Sequence, residues 1–278
     1  SEVKEFTMKF YGDLYPLLYE FKYPKAGEDN SKVSIHLYDI ESNKKIDTKV
    51  GDYEYIPRIK WTKNASELCV LTMNRHQNNL KYNLVNAADG SSKVIYEETD
   101  EAYVEIDDNL IFLKDGKSFI RTSEKGGFNH IYRIYFDGNE EQITKGKWDV
   151  VEFKGVNEDK GLIYYTSAEE GPMYKSLYVI NLEGKKKEML STEKGDNDAQ
   201  FSEGMKFYIN TYSNANTPPV YSLHKSNGDL IKVIEDNSRL TGNMKEYTLS
   251  DKEFFTIQGA EKELNGWMIK PADFDESK

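Results

Sequence analysis

The chain is poor in several things, and each shortage excludes a class of protein. It has one cysteine, Cys69, among 278 residues, so no internal disulfide can form. No apolar run approaches the roughly 18 residues that a membrane-spanning helix needs. Basic residues are outnumbered, 37 Lys and Arg against 48 Asp and Glu, for a net charge of −11. A partner rich in phosphate, whether nucleic acid or an anionic membrane surface, is gripped by a basic patch. The densest basic run, Lys185-Lys186-Lys187, follows Glu183-Gly184 and reads as a solvated hairpin turn. Nucleic acid and membrane are therefore not expected partners. His36, His76, His130 and His224 are scattered, with no His-x-His or Cys-x-x-Cys spacing, so no metal site is expected. Gly116-Lys117-Ser118 has Ile111 where a P-loop needs glycine, so no nucleotide is expected, and no other cofactor. Cys69 lies inside Leu68-Cys69-Val70-Leu71 and reads as a small buried hydrophobe.

What the chain does have is aromatic residues: 20 tyrosines and 13 phenylalanines, with only seven prolines. Aromatic and β-branched side chains suit a pleated, half-buried surface. Short apolar segments alternate with polar turns, and no long stretch follows the helical period. The expected strands fall into repeating groups of four. The first comprises Ile56–Trp61, Leu68–Met73, Tyr82–Val85 and Lys93–Tyr96. The second comprises Tyr103–Ile106, Ser118–Arg121, Ile131–Tyr135 and Glu141–Ile143. The third comprises Val150–Phe153, Leu162–Tyr165, Leu177–Ile180 and Glu188–Leu190, and the fourth Ala199–Phe201, Lys206–Ile209, Val220–Leu223 and Ile231–Ile234. Asp89-Gly90, Asp137-Gly138, Glu183-Gly184 and Asn227-Gly228 fall between the third and fourth strands, where a two-residue turn calls for positive φ. Equivalent points recur about every 44–50 residues, the period of a four-stranded propeller blade. The expected fold is all-β, a partial β-propeller. Blades cover about 51–99, 100–148, 149–195 and 196–240, with an incomplete blade at 11–50. Trp61 and Trp148 are expected between sheets.

Two features lead to the expectation that this segment belongs to something larger. The opening, Ser1-Glu2-Val3-Lys4-Glu5-Phe6, is charged and has the look of a starting point inside a longer chain. The closing residues carry Leu264-Asn265-Gly266-Trp267, then Lys270-Pro271 and Phe274-Asp275. That pattern resembles the junction at which a propeller of the prolyl-oligopeptidase clan hands over to an α/β-hydrolase domain. Tyr23-Pro24-Lys25-Ala26-Gly27, Ile56–Trp61, Met73–Asn78, Ile143-Thr144-Lys145-Gly146-Lys147-Trp148 and Leu162–Ser167 follow in an order that resembles the dipeptidyl peptidase IV family, in a bacterial form. The likeness spans nearly the whole chain.

The resemblance implies an eight-bladed propeller capping a hydrolase domain that removes N-terminal dipeptides ending in Pro or Ala. Residues 1–252 would be propeller, and 253–278 the entry to the hydrolase domain. In the family a Ser-Asp-His triad does the chemistry, its serine in a Gly-x-Ser-x-Gly elbow, and no such pentapeptide occurs here. No catalytic residue is expected in this chain. It should be inactive by itself and unlabelled by a serine-directed fluorophosphonate. The propeller would gate entry and position a peptide substrate, and the protein would be periplasmic or at the cell surface. The family holds the substrate amine on paired glutamates upstream of Tyr23-Pro24. Glu97-Glu98 and Glu169-Glu170 imitate that pair but read as solvated surface residues. The family's substrate-contacting aromatic aligns with Glu105, and Tyr103, two residues away, is the candidate substrate-binding residue. A partial ring leaves two sheet faces without neighbours, so self-association into a homodimer is expected. The rival reading is a stand-alone propeller that serves as a binding scaffold without enzymatic activity.

Overall fold

The computed structural model of the chain describes residues 2–277. Strand formation follows the apolar segments. In the first part of the chain, β1 (Glu5–Phe10) pairs antiparallel with β2 (Leu17–Lys22), and β3 (His36–Asp39) with β4 (Lys44–Asp47). These are two-stranded ribbons. A four-stranded antiparallel sheet then runs in chain order: β5 (Ile59–Trp61), β6 (Glu67–Met73), β7 (Asn79–Asn86) and β8 (Ser92–Thr99). The second sheet contains β9 (Ile111–Phe112), β10 (Ser118–Ser123), β11 (His130–Tyr135) and β12 (Glu140–Gln142). The third contains β13 (Val150–Asn157), β14 (Leu162–Ser167), β15 (Ser176–Asn181) and β16 (Glu188–Met189). The fourth contains β17 (Asp196–Phe201), β18 (Phe207–Asn214), β19 (Thr217–Lys225) and β20 (Leu230–Glu235). A seven-residue helix, α1 (Ser238–Met244), precedes the ribbon of β21 (Lys252–Gln258) and β22 (Glu263–Ile269).

Successive four-stranded antiparallel sheets, each read off in chain order, are the building unit of a β-propeller. The central strands β6, β10 and β14 are buried almost end to end, on both faces. A half-buried strand would alternate instead. Cys69 is fully buried on β6, where burial pushes its thiol up to about 12, so it stays a thiol at neutral pH.

Two compact units divide the chain. One contains the residues up to Phe119 together with Ile134–Glu140, and the other contains Ile120–Arg133 and the residues from Glu141 onward. In the first, Val50, Leu68, Val70 and Val85 form a core against which Ile35, Leu37, Tyr53 and Ile56 pack. In the second, Tyr164, Leu177, Val179, Leu190, Ala199 and Tyr208 form the core, backed by Leu162, Phe201 and Met205.

Several expectations change. The glycines of the four expected turns do take positive φ: 71° at Gly90, 91° at Gly138, 68° at Gly184 and 94° at Gly228. The loops are longer than two residues, however. Tyr135 N donates to Asn139 O at 2.8 Å and Gly138 N to Tyr135 O at 2.9 Å, which closes a loop over Phe136-Asp137-Gly138. One left-handed residue then suffices, and glycine supplies it. The ribbon β1–β2 adds a strand, Glu5–Phe10, that the polar-aromatic alternation had not revealed. Trp61 is 51% exposed, because the sheet face it stands on opens into a depression and is not covered by a neighbouring sheet. Trp148 is half-buried, stacked on Tyr165 with centroids 6.4 Å apart and in edge contact with His130 at 5.0 Å. The run Lys185–Lys187 is not wholly solvated. Lys187 Nζ lies 2.5 Å from Glu169 Oε1, and also over the rings of Trp148 and Tyr178 at 5.4 and 5.7 Å.

One ion-pair cluster gives the fold a pH dependence. The Lys154 side chain is only 12% exposed and its ammonium contacts both Glu152 and Asp198. Burial alone would raise the Asp198 carboxyl, but the hydrogen bond and charge of Lys154 outweigh it and hold the group below the usual carboxylate range. A depressed carboxylate stabilises the fold above its unfolded pKa, about 4, and that contribution disappears as pH falls through the folded value. Lys154→Met is therefore expected to cost about 1 kcal/mol at pH 7, discounted because both carboxylates remain half-exposed. Urea titrations should show that difference shrinking toward pH 3; a gap that stays constant with pH would assign the loss to packing instead.

Candidate functional site

The candidate substrate contact, Tyr103, lies on a loop and not on a strand. Asp100 Oδ1 accepts the backbone N–H groups of Ala102 at 2.7 Å and Tyr103 at 3.3 Å, an Asx turn that spends the donors a strand would use. Val104 then anchors the loop. It is 2% exposed, and its N–H donates to the Gln77 carbonyl at 2.9 Å. Further along, Asp108 takes a two-pronged hydrogen bond from the Arg58 guanidinium, and Lys60 reaches the Leu110 carbonyl. The carboxylate of Asp108 is held below its ordinary range by the hydrogen bond from Arg58, so this clamp is ionic at neutral pH. Tyr103 itself is 47% exposed, on a backbone fixed from both sides, and Glu105 is also exposed.

The turn that holds this loop, residues 74–78, also supplies the wall of a cleft. Asn74 Oδ1 caps the N–H groups of Asn78 and Asn79, both at 3.1 Å. Arg75 donates to Glu54 Oε1 and to the Glu28 carbonyl, each at 2.7 Å. The cleft holds about 660 Å³, and its lining includes Glu28, Asp29, Asp52, Glu54, Lys32 and Arg75. Glu28 lies below the usual carboxylate range, through its hydrogen bond with Lys4 at 2.6 Å. Carboxylates outnumber cations in the cleft wall. A surface of this sign favours a cationic or amine-bearing ligand over an acidic one.

The glutamate pairs behave differently from one another. Consecutive strand residues face opposite sides of a sheet, so Glu97 and Glu98 on β8 cannot converge on one ligand. Glu97 accepts from Asn79 at 2.6 Å, while Glu98 is buried at 8% exposure and accepts from the Tyr96 hydroxyl at 2.8 Å. Glu98 is therefore not the solvated residue its neighbours implied. Glu169 is half-buried and engaged by Lys187; Glu170 is exposed and accepts weakly from the Tyr178 hydroxyl at 3.3 Å. Among the described residues, no group of three His, Cys, Asp or Glu side chains is placed to hold a metal ion.

Sequence reasoning missed the anionic cleft altogether. Its carboxylates come from segments 28–29 and 52–54, each an ordinary loop when read alone. Only the Asn74–Asn78 turn, rich in side chains that cap backbone, was a legible sign that Arg75 would be held in a fixed place.

The fold defines a class, a β-propeller assembled from four-stranded antiparallel sheets. Comparison with known proteins narrows it. The family model described as the dipeptidyl peptidase IV (DPP IV) N-terminal region matches residues 1–219, and the chain belongs to that family. The crystal structure of Porphyromonas gingivalis dipeptidyl peptidase 4 superposes with a TM-score of 0.89 at 40% identity, over 99% of this chain and 40% of that one. A Bacteroides ovatus structure, 24% identical, shares the fold with a TM-score of 0.83. A Phaeosphaeria nodorum protein described as a probable dipeptidyl-aminopeptidase B is 29% identical over 287 residues, 95% of this chain and 32% of its own length. The chain thus spans about a third of the length of the curated relatives it matches.

Proposed function

We propose that the chain is the non-catalytic propeller segment of a bacterial dipeptidyl peptidase IV-like serine exopeptidase, periplasmic or exposed at the cell surface. The observation that carries this reading is the superposition on P. gingivalis dipeptidyl peptidase 4 along 99% of the chain. In this reading residues 1–252 belong to the propeller and 253–278 lead into an α/β-hydrolase domain. The propeller admits extended peptides and orients them, and the hydrolase domain cleaves an N-terminal dipeptide with Pro or Ala in second place. The anionic cleft supports the reading, because it raises the local concentration of peptides with a free amine.

Two expected results test it. The purified chain should not hydrolyse a Gly-Pro or Ala-Pro chromogenic substrate. A chimera in which this chain replaces the matching part of P. gingivalis dipeptidyl peptidase 4 should hydrolyse both. A folded, soluble chimera without activity would favour the scaffold reading instead.

Tyr103 is proposed to touch the substrate. In the active chimera, Tyr103→Ala is expected to raise KM about three- to tenfold with kcat nearly unchanged, the size of one lost aromatic contact. An unchanged KM would return Tyr103 to the ordinary surface.

Self-association is proposed on a separate ground. Apolar side chains stand exposed along β20 (Leu230, Ile231, Val233 and Ile234) and on the β21–β22 ribbon (Phe254, Trp267 and Ile269). Exposed apolar side chains gathered on these two elements support association. Light scattering over a dilution series should show a dimer dissociating; a monomer at all concentrations would rule out pairing.

A further inference from the structure

The sequence contains two Ser-x-His triplets, Ser34-Ile35-His36 and Ser222-Leu223-His224. Residues two apart on an extended chain share a face, so each serine can reach its own histidine. In both cases it does: Ser34 Oγ is 2.9 Å from His36 Nε2, and Ser222 Oγ is 2.8 Å from His224 Nε2. The third partner differs. His224 Nδ1 meets the Gly228 carbonyl at 3.0 Å, a neutral acceptor. His36 Nδ1 meets Asp47 Oδ1 at 2.7 Å. The β3–β4 register places Asp47 directly opposite His36, so the ribbon itself aligns the carboxylate with the ring. Asp47 is held in its ionised form by hydrogen bonds from Lys45 and His36. An ionised carboxylate only accepts, so Nδ1 carries a proton, and in the neutral ring Nε2 then presents its lone pair to the Ser34 hydroxyl. Nucleophile, base and orienting acid stand in the order that activates a serine.

Of the three residues only His36 lines a cleft; Ser34 reaches its rim through the 2.9 Å contact with His36 Nε2. A depression of about 680 Å³ has His36 in its wall, together with Tyr38, Ile59, Trp61 and Leu68. Trp61 and Tyr38 are 51% and 67% exposed, and flat apolar surface of this kind takes an aromatic ring.

We propose that Ser34, His36 and Asp47 form a nucleophilic relay, distinct from the peptidase chemistry, that transfers acyl or phosphonyl groups from small aryl esters and organophosphonates to Ser34. With an ester, Ser34 Oγ bonds to the carbonyl carbon as its proton passes to Nε2. The bond to the aryl oxygen then breaks, and the phenol leaves with that proton. Water repeats the sequence to release the acid and restore Ser34. With a fluorophosphonate, the P–O bond forms, the P–F bond breaks and fluoride departs, leaving a stable adduct. His36 is the base, and Asp47 is a positioning residue. The chain remains non-catalytic toward peptides in this assignment, which stands or falls independently of the propeller's role in a peptidase.

The test is a fluorophosphonate incubation of the purified chain followed by peptide mapping. The expected adduct is on Ser34, absent in Ser34→Ala. His36→Gln should slow its formation about a hundredfold, the lower range for a general base, because this relay is open to water. Asp47→Asn should slow it too, and Asp47→Glu should restore much of the rate, which a purely structural role would not predict. Ser222→Ala should leave labelling unchanged. An unmodified Ser34, an adduct at Ser222 instead, or a labelling rate indifferent to His36→Gln would overturn the proposal. All three relay residues are on the surface, so their variants should retain the wild-type circular dichroism.

Discussion

Urea unfolding of Tyr165→Ala should report a loss of about 3–5 kcal/mol, the range for removing a large buried aromatic. Tyr165 is fully buried on β14, in contact with two other rings. The Trp148 ring lies nearly parallel to it, with an interplanar angle of 3° and centroids 6.4 Å apart, and so does its cross-strand partner Tyr178, with centroids 5.6 Å apart at 16°. Alanine would open a cavity that the two rigid rings beside it cannot close. The companion variant has the opposite sign. The Tyr165 hydroxyl is buried without a hydrogen-bond partner among the described residues. Burial, with the nearby Glu169 charge, pushes the phenol well above its ordinary pKa, so it stays neutral. A buried, unsatisfied hydroxyl costs about 1–3 kcal/mol, and Tyr165→Phe removes it while keeping the ring stack. Tyr165→Phe should therefore unfold at higher urea, with a gain of about 1 kcal/mol. A loss of that size in the phenylalanine variant would mean that the hydroxyl is satisfied and the packing account is wrong.

Gly90→Ala should cost about 3 kcal/mol and loosen one ribbon more than the rest. Two penalties add. Gly90 sits at φ 71°, where an L-residue bears roughly 1–2 kcal/mol of strain. A Cβ there would also lie 2.1 Å from the Asp47 carbonyl oxygen, and backbone cannot step aside as a side chain can. The Gly90 carbonyl accepts the Lys49 N–H at 2.9 Å, so displacement would break a contact as well. Hydrogen exchange should quicken in β3 and β4 and remain unchanged in β14 and β15. An unaltered melting temperature would show that the loop relaxes freely. Because Asp47 belongs to the Ser34 relay, slower fluorophosphonate labelling in Gly90→Ala would also tie that chemistry to the fold of the ribbon.

How far the sequence reaches is clearest when particular residues are compared. Leu68–Met73 and Leu162–Tyr165 read as buried strands because unbroken apolar runs of that length have few other uses. Gly90, Gly138, Gly184 and Gly228 read as turns because only a residue without Cβ takes positive φ cheaply. Family membership was legible too, since Tyr23–Gly27 and Ile143–Trp148 are short linear patterns. Tyr103–Ile106 misled: its alternation suits a strand, but Asp100 captures the backbone donors locally, and composition does not report that competition. Trp61 misled because a strand's own sequence does not say whether the face it presents is covered by a neighbouring sheet. Glu98 misled because adjacency in sequence means opposition across a sheet.

What the sequence determined by itself is local or cumulative: strand against helix, the blade-length repeat, the sign of the charge, the absence of a nucleophile elbow. What only the tertiary structure decided is convergence. The ring contacts about Tyr165, the cleft shared by Glu28, Glu54 and Arg75, and the meeting of His36 with Asp47 all join residues from separate strands and loops. Their distances depend on register and on which faces are covered. A register shift of one residue would turn Asp47 to the other face of its ribbon, yet nothing in the composition would change.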